Sequence, residues 1–154
     1  MERCDRRLGV AVDFSPCGKV ALKWALDNMV RKGDHLILIN VQKDVYYEGG
    51  ETQLWEATGS HIAKKYGIKP DKETLALLDD SFKEKEIVVV MKIYWGDPRE
   101  KILEAIDNIP LSCLVMGCRG LSKIKRVLLG SVSNYVVNNA TCPVTVVREL
   151  QERE

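Results

Sequence analysis

The chain has 154 residues, 45% of them apolar and 29% charged, with 23 basic against 22 acidic side chains. That is an average globular composition in one domain's length, so a single domain over residues 1–154 is expected, and the balanced charge excludes a global attraction to nucleic acid or a membrane surface. The longest apolar runs, such as Ile87 to Met91, fall far short of the roughly 20 residues that span a bilayer, and MERCDRRLGV has no apolar core of a secretory signal, so a cytoplasmic location, or a nuclear one, is expected.

In chain order, the first apolar run is Leu8 to Val12. Ser15-Pro16 then offers an N-cap and a favoured first helical residue, with Val20, Ala21, Trp24, Ala25 and Met29 on one helical face and Gly33 ending the turn. The second run is Leu36 to Val41. From Gln42 to Pro70 the chain is irregular and far longer than an ordinary connection, which predicts a partly helical excursion or a lid. Its Tyr46, Tyr47 and Trp55 are read first as satellite core and second as a partner surface. A helix is predicted over Lys72 to Lys85 with Leu75, Leu78 and Phe82 inward, followed by the third run, Ile87 to Tyr94. Asp97-Pro98-Arg99-Glu100 reads as a capping-box-like start for a helix carrying Ile102, Leu103 and Ile106, which stops before Pro110. The fourth run, Leu114 to Met116 with its flanks, leads to a long loop; a helix follows from Ser131 to about Asn139, and the last run is Val144 to Val147.

The five runs are continuous rather than alternating, which suits strands covered on both faces of a parallel sheet. Strands alternating with helices imply right-handed crossovers and an open five-stranded α/β sheet with helices on both sides. The five cysteines, Cys4, Cys17, Cys113, Cys118 and Cys142, form no Cys-x-x-Cys pair, and His35 and His61 are not spaced with them as zinc ligands. Reduced thiols, with Cys113 buried, and no metal site are expected.

Chemistry concentrates in the loop after the fourth run. It reads Gly117-x2-Gly120-x9-Gly130-Ser131 and carries Arg119, Lys123, Lys125 and Arg126 with no carboxylate. It is neither GxxxxGK[ST] nor GxGxxG, yet the physics is shared. Glycines let main-chain N–H groups approach an oxyanion, and a helix beginning at Ser131 turns its unpaired N–H groups toward it. Ser131 and Ser133 add hydroxyl donors, and the cationic loop would favour a reactive thiolate at Cys118, although a bystander cysteine is the simpler reading. In an open α/β sheet ligands bind beyond the carboxyl ends of the strands, which is where this loop starts.

GVAVDFS, GDPRE, VMGCRG, LLGSVSNYVV and ATCPVTVVR together resemble the universal stress protein family, in particular its small single-domain plant members, over nearly the whole chain. The resemblance implies a Rossmann-like sheet of the adenine nucleotide alpha hydrolase type with strand order 3-2-1-4-5, and the branch of the family that binds ATP. It places adenine and ribose on Ala11, Val12, Asp13 and Val41, and the phosphates on Met116, Gly117, Arg119, Gly120, Gly130, Ser131, Val132 and Ser133. Asp13 suits ribose hydroxyls or a Mg2+ ion better than bare phosphate. Departures from the family pattern are Asn40, where many relatives have histidine, Cys118, where serine is commoner, and the composition of residues 45–70.

The function expected on these grounds is regulatory binding of ATP or AMP in a stress response. No catalytic residue is singled out, and at most weak ATP hydrolysis is expected, with a slow ATPase and a stress chaperone or interaction protein as the alternatives. The resemblance also implies a homodimer through the last strand, along Val144, Thr145, Val146 and Val147.

Overall fold

A computed structural model describes residues 6–13, 16–42, 50–53, 72–118 and 130–148. Its strands are β1 (Arg7–Ala11), β2 (His35–Gln42), β3 (Gly50–Gln53), β4 (Val88–Trp95), β5 (Cys113–Cys118) and β6 (Val144–Arg148). Its helices are α1 (Pro16–Asn28), α2 (Lys72–Lys85), α3 (Pro98–Asn108) and α4 (Ser131–Asn139). The sheet order is β3-β4-β2-β1-β5-β6, with β4, β2, β1, β5 and β6 all parallel. Counting the parallel strands alone in chain order, this is the expected 3-2-1-4-5.

The sixth strand is a finding that the sequence pattern does not announce. Gly50–Gln53 runs antiparallel along the outer side of β4, pairing Gly50 with Ile93 and Gln53 with Val90. The segment GETQ has no apolar residue with which to signal a strand; its pairing comes from the open hydrogen-bonding edge of β4. Tyr46, Tyr47, Trp55, His61 and the Ser15 cap lie outside the described residues.

Two apolar layers cover the sheet. On one face α1 and α2 bury Ala21, Leu22, Ala25, Leu26 and Leu78 against Leu8, Val10, Leu36, Leu38, Val89, Met91 and Ile93. On the other, α3 and α4 bury Ile102, Ala105, Ile106 and Val136 against Ile37, Ile39, Leu114 and Met116. Leu22 and Leu26, outside the anticipated stripe of α1, are among its most buried residues, while Val20, Trp24 and Met29 pack at the margin. Each fully buried Leu or Ile contributes about 1.5–3 kcal/mol over its exposed state. Although β4 is apolar at every position but Lys92, its burial alternates, with Val89, Met91, Ile93 and Trp95 inside and Val88 exposed, because it stands next to the edge strand.

The ends of the elements follow local chemistry. Asp97 is extended (φ −73°, ψ 122°), and its Oδ1 accepts from the Arg99 N–H at 2.9 Å, capping α3, with Pro98 as the first helical residue. The Arg99 guanidinium also binds Asp97, and together with the backbone bond this holds the Asp97 carboxyl below its ordinary pKa. At the amino edge of the sheet, buried Asp34 accepts from Arg6 Nε at 3.1 and 3.2 Å, from Arg6 Nη2 at 2.5 Å and from the Arg31 N–H at 2.8 Å. The same Arg6 group donates to the Met29 carbonyl, and the hydrogen bonding to Asp34 raises the guanidinium pKa.

Candidate functional site

A crevice opens at the carboxyl edge of a parallel sheet where consecutive crossovers leave for opposite faces. That point lies between β1 and β5: β1 leads into α1 on one face, and β5 is followed in the chain by α4 on the other. Ala11 ends β1, buried Val12 and exposed Asp13 follow it, and Val41 is the next-to-last residue of β2. Buried Met116 and half-buried Gly117 lie near the end of β5, and Gly130 to Ser133 form the cap and first turn of α4. Arg119, Gly120, Lys123, Lys125 and Arg126 lie outside the described residues, as does the side chain of Cys118.

Hydrogen bonds tie these pieces together. The Ser133 hydroxyl, on a buried residue, donates to the Gly117 carbonyl at 3.4 Å and so fastens the first turn of α4 to the end of β5. Its proton is therefore engaged within the protein, whereas Ser131 is exposed. Gly130 has φ −59° and ψ 159° and supplies no capping side chain; the helix ladder begins with Asn134 N–H to the Gly130 carbonyl at 2.9 Å. The N–H groups of Ser131, Val132 and Ser133 consequently precede the ladder, at the positive end of the helix dipole.

Gly117 has a structural cause of its own. A Cβ there would stand 2.5 Å from the Cys17 carbonyl oxygen and 3.0 Å from its carbon, both main-chain atoms in the first turn of α1. The glycine lets that turn lie on the end of β5. At Gly130, by contrast, an added Cβ meets no described atom within 4 Å.

The end of β2 holds a feature that the sequence reading passed over. In a parallel strand alternate residues turn their main-chain groups to opposite neighbours. The bonds His35 N–H to Arg6 O and Val12 N–H to Ile39 O, both 2.9 Å, direct the odd-numbered residues of β2 toward β1. Val88 N–H to Asp34 O and Gly96 N–H to Gln42 O direct the even ones toward β4. Val41 therefore faces the β1 side, beyond the last rung. The Val12 carbonyl accepts instead from Nδ2 of buried Asn40 at 2.9 Å, and Asn40 Oδ1 accepts from Gln42 Nε2 at 2.5 Å. Two amides two residues apart in an apolar run, hence on one face, were the available signal.

Other candidates fall elsewhere. His35 begins β2 at the opposite edge of the sheet. Cys113 is buried in the α1 layer, Cys142 lies before β6, and burial pushes the Cys142 thiol above its ordinary pKa. Among the described residues no three metal-ligating side chains converge, and no helix is long and apolar enough to cross a membrane.

Comparison with known proteins identifies this framework. The universal stress protein PHOS32 of Arabidopsis thaliana is 32% identical over 164 residues, covering 97% of this chain and 67% of that protein; this chain covers 64% of the related PHOS34. Among solved structures, the Methanocaldococcus jannaschii protein MJ0577 matches with TM-score 0.62 and 24% identity over 96% of this chain and 98% of its own. A universal stress protein family protein from Arabidopsis thaliana with AMP bound matches with TM-score 0.60 and 23% identity over 94% and 92%. Universal stress proteins of the same fold have been solved in complex with cAMP and with dAMP, with TM-scores 0.61 and 0.54. The model of the universal stress protein family matches residues 6–148, the whole stretch from β1 to the end of β6, and the chain belongs to that family.

Proposed function

We propose that this chain binds an adenine nucleotide, ATP or AMP, in the crevice between β1 and β5 and acts as a regulatory protein of the stress response. The observation that carries the reading is the juxtaposition, at one edge, of a helix start without a capping side chain and the main chain of Val41, which faces the β1 side beyond the last rung. The first turn of α4, with Ser131, Val132 and the N–H of Ser133, receives phosphate oxygens, as do Met116, Gly117, Arg119 and Gly120. The Val41 N–H donates to adenine N1 and its carbonyl accepts from the exocyclic amine; hypoxanthine, with a carbonyl and a ring N–H in those places, presents the reversed pattern. Ala11, Val12 and Asp13 face the ribose, and any Mg2+ would share its shell between Asp13 and the phosphates. The occurrence of AMP, cAMP and dAMP in proteins of the same fold supports the ligand class.

Binding is the activity proposed, and turnover is not. Phosphoryl transfer needs a positioned water and charge stabilisation around the transferred group, and no assembled set of such groups recommends itself among the described residues. β6 forms an edge of the sheet, with Val144, Thr145 and Val146 half-buried, so pairing of two copies along Val144 to Val147 completes the proposal.

Equilibrium dialysis with AMP and ATP on the wild type and Gly130→Asp tests the site. Aspartate is a good N-cap, so the variant keeps its melting temperature, while its carboxylate occupies the helix start and repels phosphate. Affinity should fall about tenfold or more. Equal binding by both proteins, or none by the wild type, overturns the reading, and light scattering showing a strict monomer overturns the pairing.

A further inference from the structure

We infer that Asn40, held by Gln42, is a positioning residue that keeps the Val41 main chain open to the nucleobase; the inference deepens the adenine-binding reading and rests on it. If the β1–β2 ladder ran one rung further, its next bond would join the Val41 N–H to the Val12 carbonyl, by the same spacing that joins His35 N–H to Arg6 O. That carbonyl is instead taken by Asn40 Nδ2 at 2.9 Å, on the α1 face of the sheet, which Asn40 shares with Leu36 and Leu38. Val12 keeps its N–H bond to the Ile39 carbonyl, and the amide turns only the Val12 carbonyl away from the ladder, toward the side on which the chain leaves for α1. It satisfies a buried acceptor that would otherwise recruit the Val41 donor.

Gln42 sets the orientation. An asparagine amide donates from only one of its two ends, and Nε2 of Gln42 donating to Asn40 Oδ1 at 2.5 Å commits Nδ2 to the Val12 side. Asn40 is itself buried and does not reach the ligand. It acts through Val12 and Val41.

The substitution Asn40→Leu keeps the branching at Cγ and removes the donor, so the Val12 carbonyl becomes available to Val41 and the ladder closes by one rung. Asn40→His restores an N–H one bond from Cγ. The decisive measurement is amide hydrogen exchange followed by NMR, which needs no ligand. In the wild type the Val41 N–H should exchange about tenfold or more faster than that of Ile39, and in Asn40→Leu it should slow by about tenfold, an effect of roughly one hydrogen bond. AMP affinity should fall by about tenfold in Asn40→Leu, with loss of preference for AMP over inosine monophosphate, and return in Asn40→His. Gln42→Leu, which leaves the Asn40 side chain in place, should shift both readouts the same way by a smaller factor.

A Val41 amide as protected as that of Ile39 in the wild type, or unchanged in the variants, overturns the inference. Should the wild type bind no AMP, the nucleotide reading fails while the exchange data still decide the role of Asn40. Should the wild type bind AMP and Asn40→Leu bind it equally, the positioning role alone fails. If Asn40→Leu does not fold, the wild-type comparison of Val41 with Ile39 and the Gln42→Leu variant decide it.

Discussion

The two edges of one sheet are built to opposite specifications. At the amino edge polar groups are matched inside the protein: Asp34 receives Arg6 and the Arg31 N–H, Lys85 Nζ donates to the Leu26 carbonyl at 2.7 Å, and the Gly33 N–H donates to the Lys85 carbonyl at 3.1 Å. At the carboxyl edge the matching stops short. Gly130 brings no capping side chain to α4, and the Val12 carbonyl is diverted to Asn40. Closure at one edge serves stability, and withheld closure at the other leaves free the groups that the proposed nucleotide site uses, so substitutions at the two edges should separate in what they change.

The largest effect is expected where the open edge still depends on close packing. Gly117→Ala drives a Cβ to 2.5 Å from a main-chain oxygen of α1, which must move, and urea unfolding should show a loss of about 3 kcal/mol. Gly130→Ala, at an ordinary φ of −59° and with open space among the described residues, should cost less than about 1 kcal/mol. Equal losses at the two glycines would break the distinction between a packing glycine and a ligand glycine.

Next is the closed edge itself. Asp34→Ala leaves the Arg31 N–H without its acceptor and the Arg6 guanidinium with only the Met29 carbonyl, and should cost about 2 kcal/mol in urea unfolding. AMP affinity at the far edge should stay within about twofold, since sites this distant act independently. A parallel fall in affinity would show the two edges to be coupled.

The smallest effect is a gain. Glu86, just past the end of α2, has φ +51°, a conformation that glycine adopts without strain. Its ion pair with Lys32, 3.7 Å apart and largely exposed, contributes little. Glu86→Gly should therefore raise stability by about 0.5–1 kcal/mol with nucleotide binding unchanged, and a loss in thermal melting would show the exposed pair to outweigh the backbone.

Much of this framework was legible in the residues. Five β-branched runs separated by helical stripes marked the parallel strands, and Asp97-Pro98 and Ser131 marked where α3 and α4 begin, because caps and periodicity are local signals. The strand Gly50–Gln53 was not legible, since its pairing depends on β4, some 40 residues away in the chain, and on no apolar pattern of its own. Leu22 and Leu26 escaped the stripe drawn for α1 because the sheet covers a wider arc of that helix than one narrow face. At the edge proposed for the nucleotide, Gly117 and the start of α4 were picked out by the glycine motif and Val12 and Val41 only by the family resemblance; all four lie at one edge of the sheet. The roles of Asn40 and of the Gly117 contact with Cys17 are long-range, and no spacing rule encodes them.

The contact at Gly117 bears on how such motifs are counted. Because α1 lies on the end of β5 there, a descendant of this chain that bound no nucleotide would still be under pressure to keep the first glycine of the pattern. Gly130 carries no such structural obligation among the described residues. On the proposed nucleotide reading, the last glycine is the informative one in a divergent copy, and the first is nearly silent.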